Sequence, residues 1–289
     1  AGFRTDFRFI NTQEMITDES LFPAFNNFYN GYTYSAGAVY ELGKTNFRLN
    51  FSSGFRAPNT SELLSDGVHE GTNRYEKGNI YLTKENANQI DFSVDYKGKH
   101  LSILINPFYN SISNYIYISP TDSAIDGNPV FEYLQKDVSL FGGELSLHYH
   151  PHSVHWLHLE SNVSTVFGQD KNGVPLPLIP QTKINSIASA EINHKGKFLL
   201  KKVFLQHIYK FQQNRTGLFE TTTEAYNLLN LGLDFEVPLK KNSIKINTGV
   251  KNLLNTNYTD HLSRFKSLDI SNQGINFYLG IKVNLQTKI

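Results

Sequence analysis

A chain of 289 residues with 27 Lys and Arg against 26 Asp and Glu, a formal charge of +1, has no concentrated basic face to offer nucleic acid. It contains no cysteine, which removes disulfides, thiolate metal ligands and a cysteine nucleophile together and suits export to an oxidising compartment. Only 39% of the residues are hydrophobic, and no run approaches the roughly 18–20 apolar residues of a membrane-spanning helix.

The chain opens on a strand pattern. In AGFRTDFRFI, Phe3, Phe7 and Phe9 share one parity, interrupted by Thr5, and neither the charged nor the apolar region of a signal peptide is present. The expectation is therefore a chain that begins inside a structural element. After a polar stretch and a turn, Phe47, Leu49, Phe51 and Phe55 alternate with Arg48, Asn50, Ser52 and Arg56. Ile90, Phe92, Val94 and Tyr96 then alternate with Asp91, Ser93 and Asp95. Leu229, Leu231, Leu233, Phe235 and Val237 alternate with Asn230, Gly232, Asp234 and Glu236. The last segment is the most regular: Ile275, Phe277, Leu279, Ile281, Val283 and Leu285 share one face, and Asn276, Tyr278, Gly280, Lys282, Asn284 and Gln286 the other. A period of two with apolar and polar parities is the mark of strands whose faces meet different solvents.

Strand and turn lengths separate the possible architectures. Strands of a soluble sandwich run about five or six residues, whereas these run to about ten, the length of a tilted strand crossing a bilayer. Short polar turns fall at 41–46, 97–100, 151–154, 193–197 and 238–243; between them lie longer stretches at 11–26, 56–86, 119–129, 168–182, 212–224 and 254–274. Short turns on one side and long loops on the other describe an outer-membrane barrel, with the short turns periplasmic. The reading is all-β: a transmembrane antiparallel up-and-down β-barrel with about twelve strands, an even number. Arg48, Asp91, Asp95, Asp234, Glu236 and Lys245 would line its lumen. Since an open edge leaves backbone groups unpaired in hydrocarbon, the strands must either close alone or join others.

Within this frame, residues 54–85 read GFRAPNTSELLSDGVHEGTNRYEKGNIYLTKE: a strand ending in F-R-A-P, an E-L pair, a glycine-bearing outer loop, then E-x-G-N before a Leu and a Glu. This segment resembles one of TonB-dependent outer-membrane receptors. A second resemblance covers 250–285, where VKNLLNTNYTDHLSRFK and GINFYLGIKVNL are similar to the last two strands and last outer loop of the same family. The ending Tyr278, Gly280, Val283 and Leu285 resembles the C-terminal assembly signal of outer-membrane proteins, although the chain ends in Ile289 instead of an aromatic residue. The resemblance implies a Gram-negative outer membrane, contacts with its lipid and lipopolysaccharide, and a plugged barrel of about 22 strands of which residues 1–289 supply the second half. It also implies energy coupling to TonB–ExbB–ExbD through a plug domain and TonB box outside these residues.

Local features of the motif have physical reasons. Pro58 cannot donate to a ladder and should end its strand, and residues 59–62 suit one short helical turn. The long loop after it is of the length that contacts ligand.

The resemblance makes metal ions or metal chelates (ferric siderophore, haem or zinc) the transported substrate, with no resident cofactor. His69 and Glu70 in one outer loop, and Asp260 and His261 in the last, bring imidazole and carboxylate together, and His69 and His261 are the candidate metal ligands. The plainer reading is of solvated histidines that bind nothing. Arg56, Arg74 and Arg264 suit bidentate bonds to the anionic groups of a ferric chelate, or ion pairs with loop acids such as Glu62 and Asp66. The substrate-binding candidates are accordingly His69, Glu70, Arg74, Asp260, His261 and Arg264.

Five further histidines, His148, His150, His152, His155 and His158, crowd the turn at 151–154. That turn sets His150 opposite His155, a two-ligand arrangement for Zn²⁺ or Cu²⁺. With Tyr149 and Trp156 beside them, an interfacial role at the periplasmic membrane boundary is the expected one. No G-x-S-x-G, H-E-x-x-H or G-x-x-x-x-G-K-[ST] occurs, so an enzyme is not expected. The expectation is an energised import receptor; a self-contained, passive porin-like barrel or an adhesin is the alternative.

Overall fold

The computed structural model describes residues 1–16, 21–22, 24–69, 74–192, 196–239 and 242–284. The strands that make the wall are β1 (Gly2–Thr12), β2 (Phe25–Leu42), β3 (Thr45–Arg56), β4 (Glu85–Lys97), β5 (Leu101–Ile125) and β6 (Asn128–Tyr149). They continue as β7 (Leu157–Asp170), β8 (Lys183–Glu191), β9 (Leu199–Lys210), β10 (Tyr226–Leu239), β11 (Asn242–Lys251) and β12 (Asn276–Asn284). Each pairs antiparallel with the next in chain order, so the expected twelve-strand meander is present. A short hairpin, Asp66–His69 with Arg74–Lys77, folds out of the loop after β3, and its second strand adds parallel to β6 through Tyr75 opposite Val130. The sheet therefore counts 14 strands. Among the described residues β1 and β12 are each paired on one side only.

The sidedness is that of a membrane wall. Phe277, Leu279 and Ile281 on β12 are 75%, 67% and 65% exposed, an arrangement that makes sense where the outer solvent is hydrocarbon. On the first hairpin Phe3 stacks on Tyr32 at 6.1 Å and Phe7 on Phe28 at 6.0 Å, forming an exposed aromatic ladder. The opposite parity carries polar contacts, such as Arg48 to Asp95 at 3.9 Å and Gln206 to Asn185 at 2.8 Å.

Burial is concentrated at the long-loop rim. Ile10, Tyr29, Ala57, Leu63, Leu82 and Ile116 form one cluster there, and Ile112, Val138 and Leu176 another. The short turns fall where alternation places them, for example between Leu42 and Thr45 and between Lys97 and Leu101. One long stretch does not: the loop expected at 119–129 is a two-residue turn, Asp126 and Gly127, at φ 50° and 79°. Two successive residues with positive φ match the right-handed twist of a hairpin, and Asp-Gly is the pair that tolerates it. The strands on either side consequently run to 25 and 22 residues. Crossing a bilayer takes about 9–11 residues, so much of this hairpin stands clear of the membrane.

Candidate functional site

The F-R-A-P segment builds the rim from its own side chains. β3 ends at Arg56, and Asn59 caps the helix α1 (Thr60–Leu64), accepting the Glu62 N–H while the Glu62 carboxylate accepts from the Asn59 N–H. Arg56 donates to both carboxylate oxygens of Glu62 at 2.9 and 2.8 Å and to both of Glu85 at 2.8 Å. Glu85 also accepts the Ile116 N–H at 2.6 Å, which ties β5 to the same cluster. The loop folds back so closely that a Cβ on Gly78 would lie 2.6 Å from the backbone of Leu63, which explains glycine there.

Two of the three candidate anion-binding arginines are thereby engaged. Arg56 is held by Glu62 and Glu85; Arg74 pairs with Glu76 at 2.7 Å and lies over the Phe131 ring at 5.1 Å. Glu76 in turn accepts from the Tyr133 hydroxyl at 2.9 Å. Arg264 is exposed in the last outer loop. His69 ends its short strand; its side chain and Glu70 lie outside the described residues, as does Leu285 of the terminal pattern.

Asp260 and His261 sit at the centre of a second cluster, where the loops 171–182, 211–225 and 252–275 meet. Asp260 accepts from Lys210 Nζ at 3.0 Å, from the Tyr226 hydroxyl at 2.8 Å and from the Leu262 N–H at 3.0 Å. Burial opposes its charge, but these donors outweigh burial and hold Asp260 below the ordinary carboxylate value of 3.8. The His261 ring is buried: Nδ1 lies 2.8 Å from Thr223 Oγ1 and 3.3 Å from Lys266 Nζ, and Nε2 lies 3.6 Å from Glu220 without a hydrogen-bond partner.

Glu220 spends its two oxygens on the Leu178 N–H at 2.7 Å and the Gly217 N–H at 2.9 Å. Gln181 completes the junction, donating to Phe211 O at 2.7 Å and accepting the His261 N–H at 3.4 Å. Burial holds the His261 imidazole below its ordinary 6.5; Glu220 acts against this and Lys266 with it. Beside the cluster opens a polar cavity of about 420 Å³ lined by Thr221, Thr223, Tyr226, Tyr258, Lys266 and Ser271.

The structure thus brings Asp260 and His261 together and adds Lys210, Gln181, Glu220, Thr223, Tyr226 and Lys266, of which none was singled out from the sequence. Several of these lie in loops, where no periodicity flags them. Among the described residues no three His, Asp or Glu side chains are assembled around a metal position.

At the other rim, the turn between β6 and β7 spans 150–156. His150 Nε2 meets the His155 carbonyl at 3.1 Å, but its ring stacks on His158 at 4.6 Å. The ladder register explains the difference from the expected His150–His155 opposition: Tyr149 faces Leu159, so the next step along it sets His150 against His158.

A family model described as "TonB dependent receptor-like, beta-barrel" matches residues 2–253. The chain belongs to the TonB-dependent receptor β-barrel family. It is a family of transporters and receptors of the Gram-negative outer membrane. Among solved structures, the receptor barrel is similar to the copper transporter OprC, with TM-score 0.78 and 16% identity over 98% of this chain and 44% of that one. It is also similar to the siderophore receptor PirA from Acinetobacter baumannii, with TM-score 0.63 and 16% identity over 89% and 42%. A third is the FrpB iron transporter from Neisseria meningitidis, with TM-score 0.67 and 12% identity over 96% and 42%. The chain thus spans less than half the length of these structures, and at identities this low the likeness is one of fold alone.

Proposed function

We propose that this barrel is part of an energised importer that captures a metal ion or metal complex at its long-loop rim. The observation that carries the reading is the family match over 2–253, joined to a long-loop rim whose two clusters are built around Arg56 and His261. The copper, siderophore and iron titles of the similar structures support a metal or metal-chelate cargo. On this reading TonB–ExbB–ExbD drives transport through a plug outside the twelve strands, and further strands join β1 and β12 to complete the wall. His69, Glu70, Arg74, Asp260, His261 and Arg264 remain the proposed contact set. Arg264, exposed in the last outer loop, is the arginine best placed to meet an anionic chelate, and His69 is the proposed ligand for a bare ion.

Uptake of radiolabelled ferric siderophores, haem and zinc in cells carrying the intact receptor tests this. Uptake of one of these that disappears when TonB is deleted is expected. An Arg264→Ala loss confined to ferric chelates, or a His69→Ala loss confined to zinc, would identify the cargo. Equal uptake with and without TonB would instead identify a passive channel.

A further inference from the structure

The short-turn rim carries a histidine cluster that outer-loop capture does not use. His100, His148, His150, His152, His155 and His158, six of the ten histidines, meet there. His100 belongs to the neighbouring turn. It joins because β5 and β6 stay paired to Leu101 opposite Tyr149, after which the His150 N–H donates to His100 O at 2.8 Å.

Within the cluster one pair of imidazoles is hydrogen-bonded at a spacing that also suits two ligands of one metal ion. β6 and β7 place His148 opposite Glu160, so His158 is its diagonal neighbour on the same face. That face is opposite the exposed Leu147 and Leu159 and therefore turns toward the lumen. His148 Nε2 and His158 Nδ1 are 3.3 Å apart. Two imidazole nitrogens bound at about 2.0–2.1 Å to a tetrahedral ion are separated by about 3.3 Å. The far nitrogen of His158, Nε2, lies 3.9 Å from the Glu191 carboxylate, beyond hydrogen-bond length but on the side from which carboxylates orient metal-bound imidazoles. His100 Nδ1, in the same cluster, is buried with no hydrogen-bond partner.

We infer that His148 Nε2 and His158 Nδ1 chelate a borderline divalent cation, Zn²⁺ or Cu²⁺, at the periplasmic rim, with Glu191 orienting the His158 ring. As placed, the site offers two nitrogens and leaves the other positions to water, and His150, stacked on His158, is the nearest further imidazole. This inference is independent of which cargo the outer loops take.

The test uses the intact receptor in detergent, titrated with Cu²⁺ alone and followed by pulsed electron paramagnetic resonance and calorimetry. Two coupled imidazole nitrogens on one tightly bound copper are expected. The paired substitution His148→Ala with His158→Ala should weaken binding at least about tenfold, while His207→Ala on β9 leaves it unchanged.

Copper bound equally by the paired variant, or a loss shared evenly among all six single variants, would overturn the proposal. A second measurement needs no variant: Zn²⁺ should protect His148 and His158, but not His207, from acylation by diethylpyrocarbonate, read by mass spectrometry. Equal modification with and without Zn²⁺ would sink the idea.

Discussion

His261 joins three loops through its ring and its backbone N–H. Its Nδ1 is satisfied by Thr223, its backbone N–H by Gln181, and its Nε2 faces Glu220 without a hydrogen bond. An unsatisfied buried nitrogen costs about 1–3 kcal/mol, which the other contacts of the junction must offset. The sign of the pH response follows from burial. Unfolded loops take up a proton near 6.5, whereas the folded cluster, with Lys266 beside the ring, resists it until lower pH.

The stability contributed by His261 is therefore complete above that value and is lost as pH falls through it. Lys210, Asp260, Glu220 and Lys266 are the charges that set the response. Between about pH 7.5 and 5, hydrogen exchange across 252–275, corrected for intrinsic rates, should accelerate in the intact receptor. His261→Asn should flatten that dependence; an unaltered pH slope in this variant would remove His261 as its source.

At the scale of elements, two-faced alternation carries the energetics, and each strand tolerates charge on one parity only. Leu279 lies mid-strand on the exposed apolar face of β12, and Lys282 on the other parity. Leu279→Arg should destabilise the barrel by about 2–4 kcal/mol, measured by urea unfolding from lipid vesicles, while Lys282→Gln should change it by less than about 0.5 kcal/mol. Equal effects would mean that β12 does not face lipid.

This alternation is also why the wall was legible in the sequence. The runs at 47–56, 90–96, 229–237 and 275–284 lie on β3, β4, β10 and β12 because facing hydrocarbon and water on alternate residues leaves a local imprint. The tip at 119–129 differs from the open loop expected of its polar residues, which resemble turn material along their whole length. Asp126-Gly127, a pair that favours a tight turn, is the local signal for the hairpin. The site was less legible: Glu220 reaches His261 from 41 positions away in chain numbering only because the loops fold together, and no spacing rule carries such information. His100 was recoverable in principle, since pairing β5 with β6 necessarily sets turn 98–100 beside turn 150–156.

For the whole molecule, the edges of β1 and β12 decide the unit of assembly. Each unpaired backbone group in hydrocarbon costs several kcal/mol, and β1 alone runs 11 residues. On the proposed reading, residues 1–289 refolded alone in detergent should fail to give the compact, heat-modifiable band of a closed barrel on gels, whereas the intact receptor gives it. A heat-modifiable monomer from the isolated chain would mean that twelve strands close by themselves.

The tall hairpin of β5 and β6 bears on how such a rim can close. Its ladder is continuous from membrane to tip apart from two register shifts, and the strand Arg74–Lys77 is stitched along its outer part. It is a buttress, stiffened on its flank and rooted in the wall. Loops 211–225 and 252–275 are tied mainly by side chains around His261 and by the single bridge between Gln213 and Thr223, so on the proposed reading any clasping of cargo falls to them, closing like a thumb against a fixed palm.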